Sequence, residues 1–135
     1  MAGWFPRFLL TLSSLILAVG GVMHAAAYGK AVAAITESNL PVFFGSALKA
    51  FWLGDSATMI LLAAIYGWIA VRPRAAAKSV VVLLAFLPAS TAILLYAFFG
   101  AFFAAHMLLA AAVLTFAAGL QFPVFGHEPI VGEPS

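Results

Sequence analysis

Apolar residues dominate four stretches of this chain, Phe8 to about Tyr28, Val42 to Val71, Ser79 to about Phe98, and Phe102 to about Leu120. Crossing the hydrocarbon core of a bilayer takes about 20 apolar residues per helix, and each stretch is close to that length or beyond it. The pattern predicts an all-α integral membrane protein: a four-helix bundle of four transmembrane helices in two hairpins, with the N- and C-termini on the same side. The expected transmembrane domain is 1–120, with helices at about 8–35, 42–71, 79–98 and 102–120.

Breakers set the boundaries. Pro6 sits where a first helix begins, a place where its missing N–H has no consequence, and Trp4 and Phe5 suit an interfacial anchor. This helix is expected to run on through Lys30 to Ile35, past the membrane surface. Thr36-Glu37-Ser38-Asn39-Leu40-Pro41 is the first clear loop. Arg72-Pro73-Arg74 ends the second segment, and Pro88 is expected to kink the third. Only Gly100, between Phe98-Phe99 and Phe102-Phe103, separates the last two segments, so a tight turn is expected there. The segment 121–135 holds Pro123, Pro129, Pro134, Gly126 and Gly132, and reads as an extended tail. His127 belongs to it. No internal repeat is visible.

The first apolar run, with Arg7 before it and Ala25-Ala26-Ala27 after it, has some features of a secretory signal. It exceeds the usual apolar length of about 7–15 residues for such a signal, so an uncleaved helix is expected.

Composition agrees with a membrane setting: 66% of residues are hydrophobic and 7% charged, against about 25% charged in soluble domains. The net charge of +2 comes from too few residues to form the clustered basic face that nucleic acid needs. Those charges bear on orientation instead. Arg72, Arg74 and Lys78 share one loop, and four spans put Arg7 on the same side, with Lys30 and Glu37 opposite. The positive-inside rule then places both termini and the Arg72–Lys78 loop in the cytoplasm of a cell-membrane protein. There is no cysteine, which removes thiolate chemistry and Cys-ligated metals.

The candidate chemistry lies in the few polar residues inside the apolar stretches, where ionisable groups are costly and turn inward. At 100° per residue, Lys49, Trp52, Asp55, Ser56 and Met59 fall within an arc of about 120° on one helix face. Ser13, Leu17, Gly20, Gly21, His24 and Tyr28 form a second stripe, in which the glycines allow close helix approach. His24 and Tyr28, four apart, are expected to meet on one face. The third segment brings Pro88 and Thr91 to a common face, with Tyr96 near its outer end. The fourth presents His106 beside Ala110 and Ala117. Spacing puts these titratable groups in the outer half and centre of the bundle. The candidate ligand or polar cluster is therefore His24, Tyr28, Lys49, Trp52, Asp55, Ser56, Tyr96 and His106.

In the plainest reading these groups satisfy one another and hold the bundle together. Three functional classes go beyond it. The first is a binding or interaction protein, a bundle with a polar cavity open toward the outer leaflet that takes a hydrophobic ligand, or a membrane subunit of a larger complex or a homo-oligomer. The second is a redox or metal protein, with His24 and His106 as axial ligands of haem b, or with His24, His106 and Asp55 around copper or zinc. The third is an intramembrane enzyme or proton-coupled transporter using Lys49, Asp55, His24 and His106. No nucleophile–base motif, phosphate loop or H-E-x-x-H segment is present.

Overall fold

Residues 3–122 are described by a computed structural model. The tail expected over 121–135 lies almost wholly outside the described residues, and His127 with it. Five α-helices account for nearly all the described chain: α1 Trp4–Ala26, α2 Tyr28–Glu37, α3 Val42–Val71, α4 Lys78–Phe99 and α5 Phe103–Leu120, with a 3-10 turn at Pro73–Ala75. Four of them, α1, α3, α4 and α5, are long and apolar enough to cross a membrane.

The bounds of α3 coincide with the expected segment, because Pro41 and the Arg72-Pro73 step mark its two ends. α1 starts earlier than expected. Pro6 falls within its first turn, where backbone N–H groups have no helical partner in any case. The larger departure is at Ala27. The expected single helix to Ile35 is interrupted there, and a separate short helix, α2, begins at Tyr28. α2 packs on the start of α3, where Ile35 abuts Gly45.

α4 continues through Pro88. A proline cannot donate to the carbonyl four residues back, which here is Leu84. Tyr66 of α3 fills that role: its hydroxyl donates to the Leu84 carbonyl oxygen at 2.8 Å, and its side chain is fully buried. The α4–α5 hairpin turns at Gly100, with φ 70° and ψ −149°, a region open essentially to glycine alone.

α1 packs against both α3 and α5, and α5 packs against α4. The cross-helix bonds give the directions. Arg7 reaches Ala70, Ser14 reaches Ala63 and His24 reaches Ser56, so α1 and α3 are antiparallel. Ser13 donates to the Ala111 carbonyl and meets the Thr115 hydroxyl at 2.8 Å, tying α1 to α5 inside the core. Arg7 Nε donates to the Ala70 carbonyl at 2.8 Å, satisfying a last-turn carbonyl of α3 and placing a cation at the negative end of its dipole. The expectation that Arg7 shares an end with the basic loop is thereby met.

The buried stripe of α1, with Ser13, Leu17 and Gly21, is the one its sequence indicated. On α5 it is not. The face that packs carries Ala105, Leu108, Ala112, Thr115 and Gly119; of the expected residues Ala117 packs against the core, whereas His106 and Ala110 are exposed. α5 is apolar on all sides, so its periodicity could not identify the inward face.

Candidate functional site

The interruption at Ala27 sets up the polar cluster. His24 lies in the last turn of α1, so its carbonyl is among those a helix leaves without an internal partner. The Trp52 indole N–H of α3 donates to that carbonyl at 2.8 Å. The same contact lays the Trp52 ring on the His24 ring, with centroids 4.2 Å apart and planes within 13° of parallel. Close approach of α1 and α3 depends on Gly21. A Cβ there would come within 2.9 Å of Ile60 Cγ1 and 3.2 Å of the Ser56 carbonyl oxygen.

Hydrogen-bond bookkeeping fixes the His24 tautomer. The Ser56 hydroxyl donates to the Trp52 carbonyl at 3.0 Å, and a carbonyl can only accept. With its one proton so committed, Ser56 accepts from His24 Nδ1–H, at 2.8 Å. His24 Nε2 is then left facing Asp55 Oδ2 at 3.8 Å. That separation is too long for a direct hydrogen bond and short enough for charge attraction when an extra proton sits on the imidazole. The His24 and Asp55 side chains are 26% and 37% exposed, so the pair lies at the edge of the packing, within reach of a ligand.

The sequence candidates divide accordingly. His24, Trp52, Asp55 and Ser56 form one connected group. Lys49 does not join it. It is half-buried and makes no ion pair with Asp55, since six residues of helix separate the two by about 9 Å along the axis. Tyr28 stands beyond the break, as the first residue of α2. His106 is turned toward α4: its Nδ1 bonds to the Phe102 carbonyl at 2.8 Å, and its ring meets Tyr96 edge-on at 5.4 Å. The two histidines therefore belong to different contacts. Among the described residues, no three His, Asp or Glu side chains gather as a metal site, so His24, His106 and Asp55 do not assemble into one.

Two cavities flank the cluster. The larger, about 240 Å³, is an almost wholly apolar groove between α1, α3 and α5. It runs along α1 from Ile16 past Gly20 and Met23 to Ala27, with Met107 and Phe103 of α5 opposite. Eleven residues of helix make that about 16 Å. His24 and Trp52 line it near the Ala27 end. The smaller, about 90 Å³, lies between α3 and α4, with Asp55, Thr58, Ser90 and Thr91 on its walls. Thr58 and Ser90 had no sequence signal beyond being hydroxyl residues in apolar helices. The methionines of the groove were indistinguishable from core.

Comparison of the chain with protein-family models, with curated proteins and with solved structures gives no match.

Proposed function

We propose that this chain is a multi-pass integral membrane protein, a bundle of four spans in two hairpins, that binds an elongated apolar molecule. In this reading both termini and the Arg72–Lys78 loop face the cytoplasm, and Lys30 and Glu37 mark the opposite side. The apolar body of the ligand lies in the α1/α3/α5 groove, and its polar end-group meets His24 near the Ala27 end. The supporting observation is the groove: an apolar trough about 16 Å long along α1, bordered near its Ala27 end by a histidine whose orientation is fixed by Trp52 and Ser56. An apolar trough matches a lipid-like molecule, and one hydrogen-bonding group near its Ala27 end supplies orientation.

Native mass spectrometry of gently extracted protein tests this reading. The parent chain is expected to carry a bound apolar mass, and Gly20→Leu to lose it. A Cβ at Gly20 makes only ordinary contacts, 3.7 Å from Met59 Sδ and 3.8 Å from Met107 Cε, so the larger side chain grows into the groove without splitting the helices. An empty parent, or a Gly20→Leu variant that keeps its adduct, contradicts the reading. The same spectra reveal a partner subunit or a homo-oligomer.

A second reading, a proton-coupled transporter or intramembrane enzyme, has one observation in its favour. With Nδ1–H committed to Ser56, His24 Nε2 and Asp55 Oδ2 together have a place for one exchangeable proton. No such observation favours the haem b reading: His24 stacks on Trp52 and His106 meets Tyr96.

A further inference from the structure

The cleft between α3 and α4 offers hydrogen-bond acceptors without a side-chain donor. Its polar lining is Asp55, Thr58, Ser90 and Thr91. A hydroxyl has one proton and two lone pairs, and each of these three has its proton placed elsewhere. Thr58 donates to the Gly54 carbonyl at 2.8 Å, Ser90 to the Leu87 carbonyl at 2.9 Å, and Thr91 to the same carbonyl at 3.2 Å. What remains on their oxygens is acceptor capacity. Pro88, also on the wall, brings no N–H. Asp55 adds a carboxylate, whose recorded ion-pair partner is His24 on the α1 side, 3.8 Å away.

From this arrangement we infer that the α3–α4 cleft binds a monovalent cation of about the size of Na+, held by the Asp55 carboxylate and the hydroxyl oxygens of Thr58, Ser90 and Thr91. Hard oxygen donors select hard cations. A single carboxylate suits one positive charge, whereas divalent sites of the calcium type gather several carboxylates and six to eight oxygens, as a general rule. Ionisable groups in membrane-spanning segments are associated with ion pathways and substrate sites. The volume of about 90 Å³ holds a small cation together with several waters, since one water needs about 10–15 Å³ of such space. The site is separate from the apolar groove, with Leu17, Met59 and Leu108 between them, since these three residues line both cavities.

Radiosodium binding to the purified full-length chain in detergent, at one fixed pH and at constant ionic strength kept with N-methylglucamine chloride, tests the site. The parent is expected to bind sodium saturably, with Li+ and K+ competing and N-methylglucamine not. Asp55→Asn keeps the shape, removes the charge and introduces a donor, and is expected to abolish binding. Ser90→Ala combined with Thr91→Val leaves the carboxylate and the apolar groove untouched. It is expected to weaken binding about tenfold or more, a loss of about 1.4 kcal/mol. This second variant decides the matter if Asp55→Asn does not fold. Absence of saturable binding in the parent, or parent-like binding in either folded variant, overturns the inference. Retention of the apolar adduct by the hydroxyl variant is read separately, so the two sites stand or fall on different measurements.

Discussion

Tyr66 shows how a single side chain repairs a defect written elsewhere in the sequence. Pro88 removes the donor for the Leu84 carbonyl, and the buried Tyr66 hydroxyl replaces it from the neighbouring helix. Tyr66→Phe leaves that carbonyl without a protein partner, and a buried unsatisfied polar group costs about 1–3 kcal/mol. A loss of this size is expected in thermal or denaturant unfolding of the detergent-solubilised protein. Pro88→Ala restores an N–H four residues after Leu84, so the cost of Tyr66→Phe should shrink in the Pro88→Ala background. Equal costs in both backgrounds contradict the repair. At this scale the rarity of polar residues in the sequence pointed to part of the cluster, though Lys49 and His106 were equally rare and stand outside it. His24, Trp52, Asp55 and Ser56 stood out against apolar surroundings and do cluster. Tyr66 did not stand out, because an aromatic residue in an apolar helix has many uses, and only the fold puts it opposite a proline.

Helix–helix contact depends on which glycine faces which neighbour. At Gly21 an added Cβ would meet Ile60 Cγ1 at 2.9 Å and Met59 Cβ at 3.1 Å, both on α3. Gly21→Ala is expected to destabilise by about 1–3 kcal/mol, the usual result of overpacking. At Gly20 the same change meets nothing closer than 3.7 Å. Gly20→Ala is expected to be neutral or to stabilise by up to about 1 kcal/mol through helix propensity. Unfolding of the two single variants side by side checks the pair, and a larger loss at Gly20 than at Gly21 contradicts the packing. The sequence marked both glycines as an approach point without separating them. It also placed the inward face of α5 at His106, Ala110 and Ala117, of which Ala117 alone packs on the core, beside Ala105, Leu108 and Ala112. Where a helix is apolar all round, periodicity carries little information about which side packs.

For the whole molecule, the absence of cysteine makes orientation directly measurable. Ser38→Cys, in the loop after α2, and Ala77→Cys, in the loop between α3 and α4, both at exposed positions, are expected to react with a membrane-impermeant thiol reagent from opposite sides of the membrane. The Ala77→Cys loop should be the cytoplasmic one. Labelling of both from one side contradicts the four-span arrangement. Arg7 gives structural support to it, since its bond to the Ala70 carbonyl fixes the start of α1 at the same end as Arg72 and Arg74. The polar cluster is also a property of the whole, built from the broken end of α1 and the middle of α3, with the α3–α4 cleft on its far side.

The amino-acid order alone determined the four long apolar helices and those of their ends that proline or glycine marks, because apolar length and such breakers act locally and need no partner. It also led to the expectation that the rare polar residues of α1 and α3 turn inward, since exposing them to hydrocarbon is costly, and His24, Trp52, Asp55 and Ser56 do meet. The tertiary structure decided which of them meet: Asp55 with His24 instead of Lys49, and His106 with Tyr96 instead of His24. It decided the break at Ala27 as well, where no proline stands and the freed His24 carbonyl is taken up by Trp52. Such pairings depend on the rotation and offset of one helix against the next, and those follow from how whole surfaces of side chains interlock.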